Sequence, residues 1–371
     1  MTTTAQTDVV IIGGGPAGTA TAVALTRAGL RVILIERSSY DAFRLGETVP
    51  PDLQSVLQAL GAWSSFEQDA YLPSRGVAST WGSTELAFGD ALFSSQGGGW
   101  HLDRVRFDTS LAREAERGGA EIWTGTRLAS FARIDGDRWS LTVHTHNGVR
   151  QLRASFLVDA TGRSATVARR CGAKKIYCDR LVAVYALFGP CSDSQADLHT
   201  LVEAAQHGWW YASRLPGNQA VVSFLSDSDL VRRYALHRLD PWCALLDRSL
   251  HIRDFLADAL RCSEPTLRSA ASHCLDPVVG EGWLAVGDAA SAFDPLSSAG
   301  IVLALRAGFE VATVLTQHLS GDRLALSHYD QRIHLRFAHY LAARHFYYAL
   351  ETRWPDSEFW QRRRADLLDQ D

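Results

Sequence analysis

Three glycines, Gly13, Gly15 and Gly18, are spaced G-x-G-x-x-G in the segment Gly13-Gly14-Gly15-Pro16-Ala17-Gly18. That spacing suits backbone that must approach a pyrophosphate. The first glycine permits a tight turn, the second lets the phosphates come close, and the third lets a helix lie on the preceding strand. The helix N-terminus then faces the negative charge. Pro16 and Ala17 complete the turn and are counted with the glycines as binding residues. Glu36, with Arg37 beside it, follows a second apolar run, Arg31 to Ile35. A carboxylate there accepts hydrogen bonds from both hydroxyls of a ribose and repels a 2′-phosphate.

A second constellation lies far along the chain. Gly287-Asp288 follows the apolar run Trp283 to Val286, and Pro295, Gly300 and Ile301 come in the segment that leads into a helix. An acid at a strand end can hydrogen-bond a ribityl hydroxyl, and amides at the start of such a helix can hold negative charge on a reduced flavin ring. A nicotinamide-only dehydrogenase has no use for this second element. Taken alone, Gly-Asp is as readily an ordinary turn.

The elements that must position these groups are legible. Asp8 to Ile12, the glycine turn, an apolar-periodic stretch from Thr19 to Arg27 and the run Arg31 to Ile35 form a βαβ unit, expected to be right-handed in a parallel sheet. Trp139 to His144, Leu181 to Leu187 and Ala220 to Leu225 read as strands. The end of the chain is helical, with Leu335, Phe337, Tyr340, Leu341, Phe346, Tyr347 and Leu350 forming an apolar stripe that is expected to face the core. The stretch from Trp354 to Trp360 is expected to be more exposed.

Composition narrows the classes. The chain of 371 residues is 46% apolar and 21% charged, with a net charge of -4 from 37 basic and 41 acidic residues. It is therefore expected to fold as a globular enzyme, without an electrostatic footprint for nucleic acid. No uninterrupted apolar run suggests a membrane span, and the start of the chain lacks a secretory pattern, so a cytoplasmic location is expected. The six cysteines show no C-x-x-C pair and the thirteen histidines no H-E-x-x-H pair, and no metal is expected. Lys174 and Lys175 are the only lysines.

The glycine motif with Glu36, the segment containing Arg104, Phe107, Asp108 and Leu111, the segment Asp159 to Arg163 and the stretch Gly287 to Gly300 together resemble the FAD-dependent monooxygenases of the para-hydroxybenzoate hydroxylase fold. The resemblance runs over essentially the whole chain. It implies an α/β architecture: a Rossmann-like FAD-binding domain of the glutathione-reductase type, with an interleaved β-rich substrate domain and a C-terminal helical region. The expected divisions are 1–72, 100–172 and 270–325 for FAD, 73–99 and 173–269 for substrate, and 326–371 for the helices. By motif position the resemblance gives Arg104 to the FAD phosphates or ribose and Asp288 to the ribityl chain.

Gly46-Glu47 followed by Pro50-Pro51, and the segment Phe293 to Ile301, are similar to the halogenase-like branch of this family. Halogenases steer hypohalous acid with a lysine between the Gly-Glu and arginine motifs, yet residues 47 to 104 contain none. Their W-x-W-x-I-P signature is also broken, the nearest stretch being Gly208 to Pro216. The same branch includes flavoproteins that hydroxylate a tryptophan side chain of a partner polypeptide during biogenesis of a protein-derived tryptophylquinone. The segments Trp81 to Ser83, Gly99 to Asp108 and Glu351 to Arg363 resemble these most.

The implied activity is hydroxylation of an electron-rich aromatic ring through a flavin C4a-hydroperoxide. Oxygen is the co-substrate, and NAD(P)H or a separate flavin reductase is the electron donor. The alternatives are a halogenase of a small aromatic substrate and a reductase of the geranylgeranyl type. Such chemistry needs a dry, apolar wall over the flavin, for which Trp81, Trp100, Trp209, Trp210 and Tyr211 are candidates; each could equally be core packing. Glu47 is a candidate proton relay or a solvated turn acid. His101 is a candidate base or a structural histidine, and Arg214 a carboxylate anchor or a surface charge.

Overall fold

The computed structural model describes residues 5–90, 98–134, 138–191, 198–256 and 259–365. Residues 91–97, 192–197 and 257–258 of the expected substrate domain, 1–4 and 135–137 of the expected FAD divisions, and the last six of the expected helical region lie outside them.

A mainly parallel sheet carries the order Val279–Gly280, Trp283–Ala285, Gly148–Asp159, Ala5–Ile12, Val32–Ile35, Glu121–Trp123. The strand Ala5–Ile12 is buried almost throughout its second half, as a parallel strand covered on both faces must be. Register matters more than order here. Ile12 pairs with Asp159 on one side and Ile35 on the other, and Asp159 pairs with Ala285. The four strands therefore end level, and the residues that follow them (Gly13, Glu36, Thr161 to Arg163, and Gly287-Asp288) emerge along one edge. Ligands of open α/β sheets bind outside such carboxyl ends.

Helix Pro16–Arg27 packs against helix Gly300–Leu319. A Cβ on Gly308 would lie 2.6 Å from the Cβ of Ala20, so the two helices touch at a point where no side chain fits. Gly300–Leu319 is long and apolar enough to cross a membrane by length and composition alone, a property that interruptions by single polar residues conceal in the sequence. Half of it is buried inside the protein, as is usual for a core helix.

The second layer is a seven-stranded sheet ordered Thr266–Ser269, Leu181–Phe188, Gln219–Asp227, Gly208–Leu215, His199–Ala205, Gly76–Thr80, Ala87–Asp90. Successive side chains alternate faces. Along Gly208–Leu215, Trp209 packs with Ala183, Leu225 and Tyr348, whereas Trp210 packs with Phe224 and Trp242 in a separate cluster on the other face.

Two small sheets pair strands across the expected domain divisions. Thr48–Val49 and Leu72–Ser74 flank Gly99–His101, and Lys174–Tyr177 pairs with His273–Asp276, which also pairs with Ser291–Ala292.

The C-terminal stripe meets the expectation only in part, with Phe337 buried and Tyr340 and Leu341 packed partly buried against the core. Leu335, Phe346, Tyr347 and Leu350 are exposed, while Trp360 and Phe359 are fully buried. Helix Ala325–Ala349 buries Tyr329, Ile333, Phe337 and Tyr348. Leu335 and Phe337 are two residues apart, about 200° around a helix, so they cannot share a face. Trp360 is drawn in by its own chemistry: it packs on Trp81 and Tyr348 and its Nε1 donates to the Ala205 carbonyl at 3.0 Å.

Candidate functional site

A cavity of about 380 Å³ opens between the level strand ends and the seven-stranded sheet. Its floor is formed by Gly15, Pro16 and Ala17 of the first turn with Arg163 and Asp288. One side is Leu45 to Thr48 with Arg104, and the other is Asp294, Pro295, Ser298, Gly300 and Ile301. Ala183, Trp209, Tyr211, Ser223 and Leu225 roof it.

The cradle fits a dinucleotide. Two helices, Pro16–Arg27 and Gly300–Leu319, start at this cavity, and neither has a side-chain cap on its N-terminal amides. Those amides are available to an anion or a polar ring edge. A Cβ on Gly13 would come 2.2 Å from the Ala160 carbonyl oxygen, and one on Gly18 would come 1.9 Å from that of Gly13, so both sites are closed to other residues. A Cβ on Gly15 meets nothing within 4 Å. The space beside Gly15 is thus room for a ligand rather than for packing.

Glu36 is buried, and its carboxylate accepts hydrogen bonds from the amides of Gly14 (2.7 Å) and Ser38 (2.9 Å). Burial would raise its carboxyl, but the Ser38 hydroxyl, these two amides and Arg44 outweigh that and hold it below the ordinary carboxylate range. Arg44 bridges Glu36 and Asp108. Arg37 is exposed and lines a different cavity, of about 550 Å³, with Gly125, Arg127, His144 and His146.

Arg104 is tied to its surroundings on both sides. It pairs with Asp108 and donates from Nη1 to the carbonyls of Leu45 (2.9 Å) and Gly46 (3.3 Å), which clamps the Gly46-Glu47 turn against the cavity. Arg163 donates to the carbonyls of Ala271 and Phe293 and lies 3.4 Å from Asp288. It stands in the Asp159 to Arg163 segment, but sequence reading gave it no place in the cavity. Asp159 itself accepts from four donors, Thr161 N and Oγ1, Val167 N and Ala168 N, and so shapes the loop.

Glu47 is buried at the cavity wall, and burial pushes its carboxyl above the ordinary range against the Tyr211 hydroxyl, the Gly46 amide and Arg104, which pull it down. A solvated turn acid it is not. Tyr211 Oη lies 2.8 Å from Thr48 Oγ1 and is held well above an ordinary phenol by burial and by the Glu47 charge.

His101 does not line the cavity. It is fully buried behind Thr48, with Nδ1 3.2 Å from Thr48 Oγ1 and 2.9 Å from Ser213 Oγ, and Nε2 3.1 Å from the Leu198 carbonyl oxygen. Burial pushes it down to about 4, so the ring is neutral at physiological pH. It cannot reach a substrate proton directly, which removes it from the candidate bases.

The aromatic candidates divide. Tyr211 and Trp209 line the cavity. Trp210 points the other way, into a separate cavity of about 710 Å³ with His207, Tyr234 and Trp354, because it is one residue out of phase on a strand. Trp81 packs edge-on against Trp209, Tyr348 and Trp360 and donates to the Tyr347 carbonyl, one layer behind the wall. Trp100 packs with Trp63 and Phe66. Arg214 is buried on the far face, donating to the Phe255 carbonyl and lying over the Phe255 ring, and is neither a surface charge nor a cavity residue.

A family model described as FAD binding domain matches residues 6–343. The chain belongs to this family. It is an FAD-dependent oxidoreductase of the halogenase-like monooxygenase branch. It is 33% identical over 368 residues to LodB of Marinomonas mediterranea, named as an FAD-dependent oxidoreductase, covering 96% of this chain and 97% of that protein. The structure of the peptidyl tryptophan dihydroxylase QhpG, essential for tryptophylquinone cofactor biogenesis, superposes with a TM-score of 0.79 at 26% identity, covering 97% of this chain and 79% of that one. The flavin-dependent halogenase CmlS shares the fold, with a TM-score of 0.85 at 24% identity over 98% of this chain and 68% of its own.

Proposed function

We propose that this oxidoreductase hydroxylates an electron-rich aromatic ring, the substrate class being a tryptophan side chain carried by a partner polypeptide. The observation that carries the reading is a cavity with a buried carboxyl and phenol, Glu47 and Tyr211, and no lysine in its lining. The chain's two lysines stand on strand Lys174–Tyr177, where Lys175 donates to the Arg163 carbonyl from behind the wall. A halogenating site needs a group to capture and direct hypohalous acid, and the lining offers none of the usual kind. The likeness to QhpG over nearly the whole chain supports the choice of a peptidyl tryptophan.

Bound FAD would supply oxygen activation, taking two electrons from NAD(P)H or from a separate flavin reductase, so that one oxygen atom enters the ring and the other leaves as water. The uncapped amides of helices Pro16–Arg27 and Gly300–Leu319, with Arg163 and Asp288, would hold it. Trp209, Leu225 and Ala183 keep water from the roof. Glu47, protonated more readily than an ordinary carboxyl, gives and takes the proton at the cavity wall.

The test is anaerobic reduction with NADH or NADPH, or with a flavin reductase, followed by oxygen and a tryptophan-containing peptide, with and without bromide. A peptide product heavier by oxygen, indifferent to halide, supports the proposal. A halogenated product sinks it in favour of a halogenase.

A further inference from the structure

The seven-stranded sheet that roofs the cavity ends, at one margin, in strand Thr266–Ser269, whose outer side pairs with no strand among the described residues. Leu267, Arg268 and Ser269 are exposed, and Arg268, Ser269 and Ala270 line the cavity. An open strand edge therefore borders the cavity where it meets solvent. Such an edge offers amides and carbonyls to any extended chain, which is why proteins usually guard one with charge or cover it.

The phase of the ladder decides which groups the edge offers. The Ala270 amide donates to the Leu181 carbonyl, so by alternation the pairs Arg268 with Ala183 and Thr266 with Tyr185 exchange hydrogen bonds too. The other side of the same strand agrees: the Ser228 amide donates to the Arg180 carbonyl, which commits Val182 and Val184 to strand Gln219–Asp227. The main-chain groups of Leu267 and Ser269 therefore point outward. Among the described residues only Arg268 bonds them, its Nη1 donating to the Leu267 carbonyl at 3.0 Å. Side chains follow the same register. Arg268 stands in one cross-strand row with Ala183, Leu225 and Trp209, on the face that roofs the cavity. Arg104 and Arg163 at the cavity are paired with Asp108 and Asp288, whereas Arg268 has no carboxylate partner among the described residues.

We infer that the polypeptide carrying the tryptophan docks by adding an extended segment to the edge Thr266–Ser269, with an acidic residue opposite Arg268 and the tryptophan two positions from it. A strand laid there stands about 4.8 Å away and alternates its side chains in step with the edge. The residue opposite Arg268 faces the cavity, as do those two positions to either side, while the residues between them face away with Leu267. A ring two positions from the acid thus turns toward the cavity while main-chain bonds to Leu267 and Ser269 hold the segment. Charge chooses the occupant. An acid neutralises the Arg268 guanidinium, whereas a second copy of this chain would set two unpaired arginines against the same short edge. The inference rests on the reading that the substrate tryptophan belongs to a polypeptide, and gives that polypeptide its docking site.

The test follows binding of fluorescent tryptophan-containing peptides to the oxidised full-length holoenzyme by anisotropy, without turnover. A peptide with an acid two positions from the tryptophan should bind about tenfold more tightly than one with the acid adjacent to it, and Arg268→Gln should erase that preference. Ser269→Pro removes an outward amide and no ladder bond, and should weaken binding about tenfold; Ser269→Ala keeps the amide and should change it less than about twofold. Should Ser269→Pro fail to fold, N-methylation along the peptide carries the test with the parent protein, because only alternate amides should be sensitive. Equal binding by the two Ser269 variants, N-methyl sensitivity without alternation, or loss of FAD from Arg268→Gln with the acid preference intact would overturn the docking mode. So would a dimer of this protein that Ser269→Pro dissolves while peptide binding stays unchanged. A halogenated product from a peptide that binds in this way would remove the hydroxylase reading and leave the docking site standing. A hydroxylated peptide whose binding and KM ignore Ser269→Pro would do the reverse.

Discussion

Glu47 and His101 were both candidates as sequence, each a lone titratable residue near a motif, and burial separates them. Glu47 opens onto the cavity; His101 has both ring nitrogens bound and no access to it. Glu47→Gln is therefore expected to lower the hydroxylation rate by a factor of about 10² or more, the scale of a lost acid–base group, with FAD retained. Retained flavin absorbance with an unchanged rate would exclude Glu47 from proton transfer. His101 should instead show itself in stability. Its ordinary value is 6.5 and its folded value about 4, so the unfolded chain takes up a proton that the folded protein refuses. Its contribution is complete above pH 6.5 and is lost as pH falls toward 4, reaching about 3 kcal/mol for this one group. Urea unfolding at several pH values should give a shallower acid decline in His101→Gln than in the parent protein. Equal slopes would mean that His101 is not held neutral.

The elements around the dinucleotide turn were the most legible part of the chain, because a glycine spacing, a strand and a helix must coincide for the turn to exist. Glu36 and Asp288 could be placed for the same reason, each following an apolar run that ends level with its neighbours. The roof was harder. Trp209, Trp210 and Tyr211 are consecutive, and only the phase of the strand decides that the first and third face the cavity; the sequence shows the period but not which face is which. The C-terminal stripe held only in part, since its residues spread around more than one helical face. Gly15 offers a test at this scale. Its φ of -77° suits any residue, and a methyl group there meets nothing within 4 Å. Gly15→Ala should leave the stability of the FAD-free protein unchanged to within about 0.5 kcal/mol, the range of a substitution that disturbs no packing. It should nevertheless weaken FAD binding about tenfold or more, the methyl now standing in ligand space. Equal loss of stability without FAD would show that the space is needed for packing instead.

At the scale of the whole molecule, the C-terminal segment ties the roof to the FAD-side elements. Tyr348 accepts from Trp209 Nε1 at 3.0 Å and donates to Asp294 Oδ2 at 2.7 Å, joining two residues that line the cavity through one phenol from the last long helix. The next helix, Glu358–Arg364, fixes this arrangement with an ion pair between Arg363 and Asp227, 2.8 Å apart and almost wholly buried on both sides. Burial would raise the Asp227 carboxyl, but Arg363 and Arg362 outweigh it and hold it below the ordinary range. None of this could be read from the sequence, because 136 residues separate the partners and a run of arginines ordinarily signals a solvated surface. Removing one member of a buried pair leaves the other charge without compensation, at a cost of about 3 to 5 kcal/mol. Asp227→Ala should destabilise the protein by that amount, whereas Glu358→Ala, which removes an exposed, solvent-screened partner of Arg233 and Arg362, should cost far less. Loosening the C-terminal helices should also free Tyr348, so Asp227→Ala is expected to weaken FAD binding from a distance, measured by flavin retention at a temperature where both variants remain folded. A large loss of stability with full flavin retention would show that the C-terminal segment braces the fold without shaping the cavity.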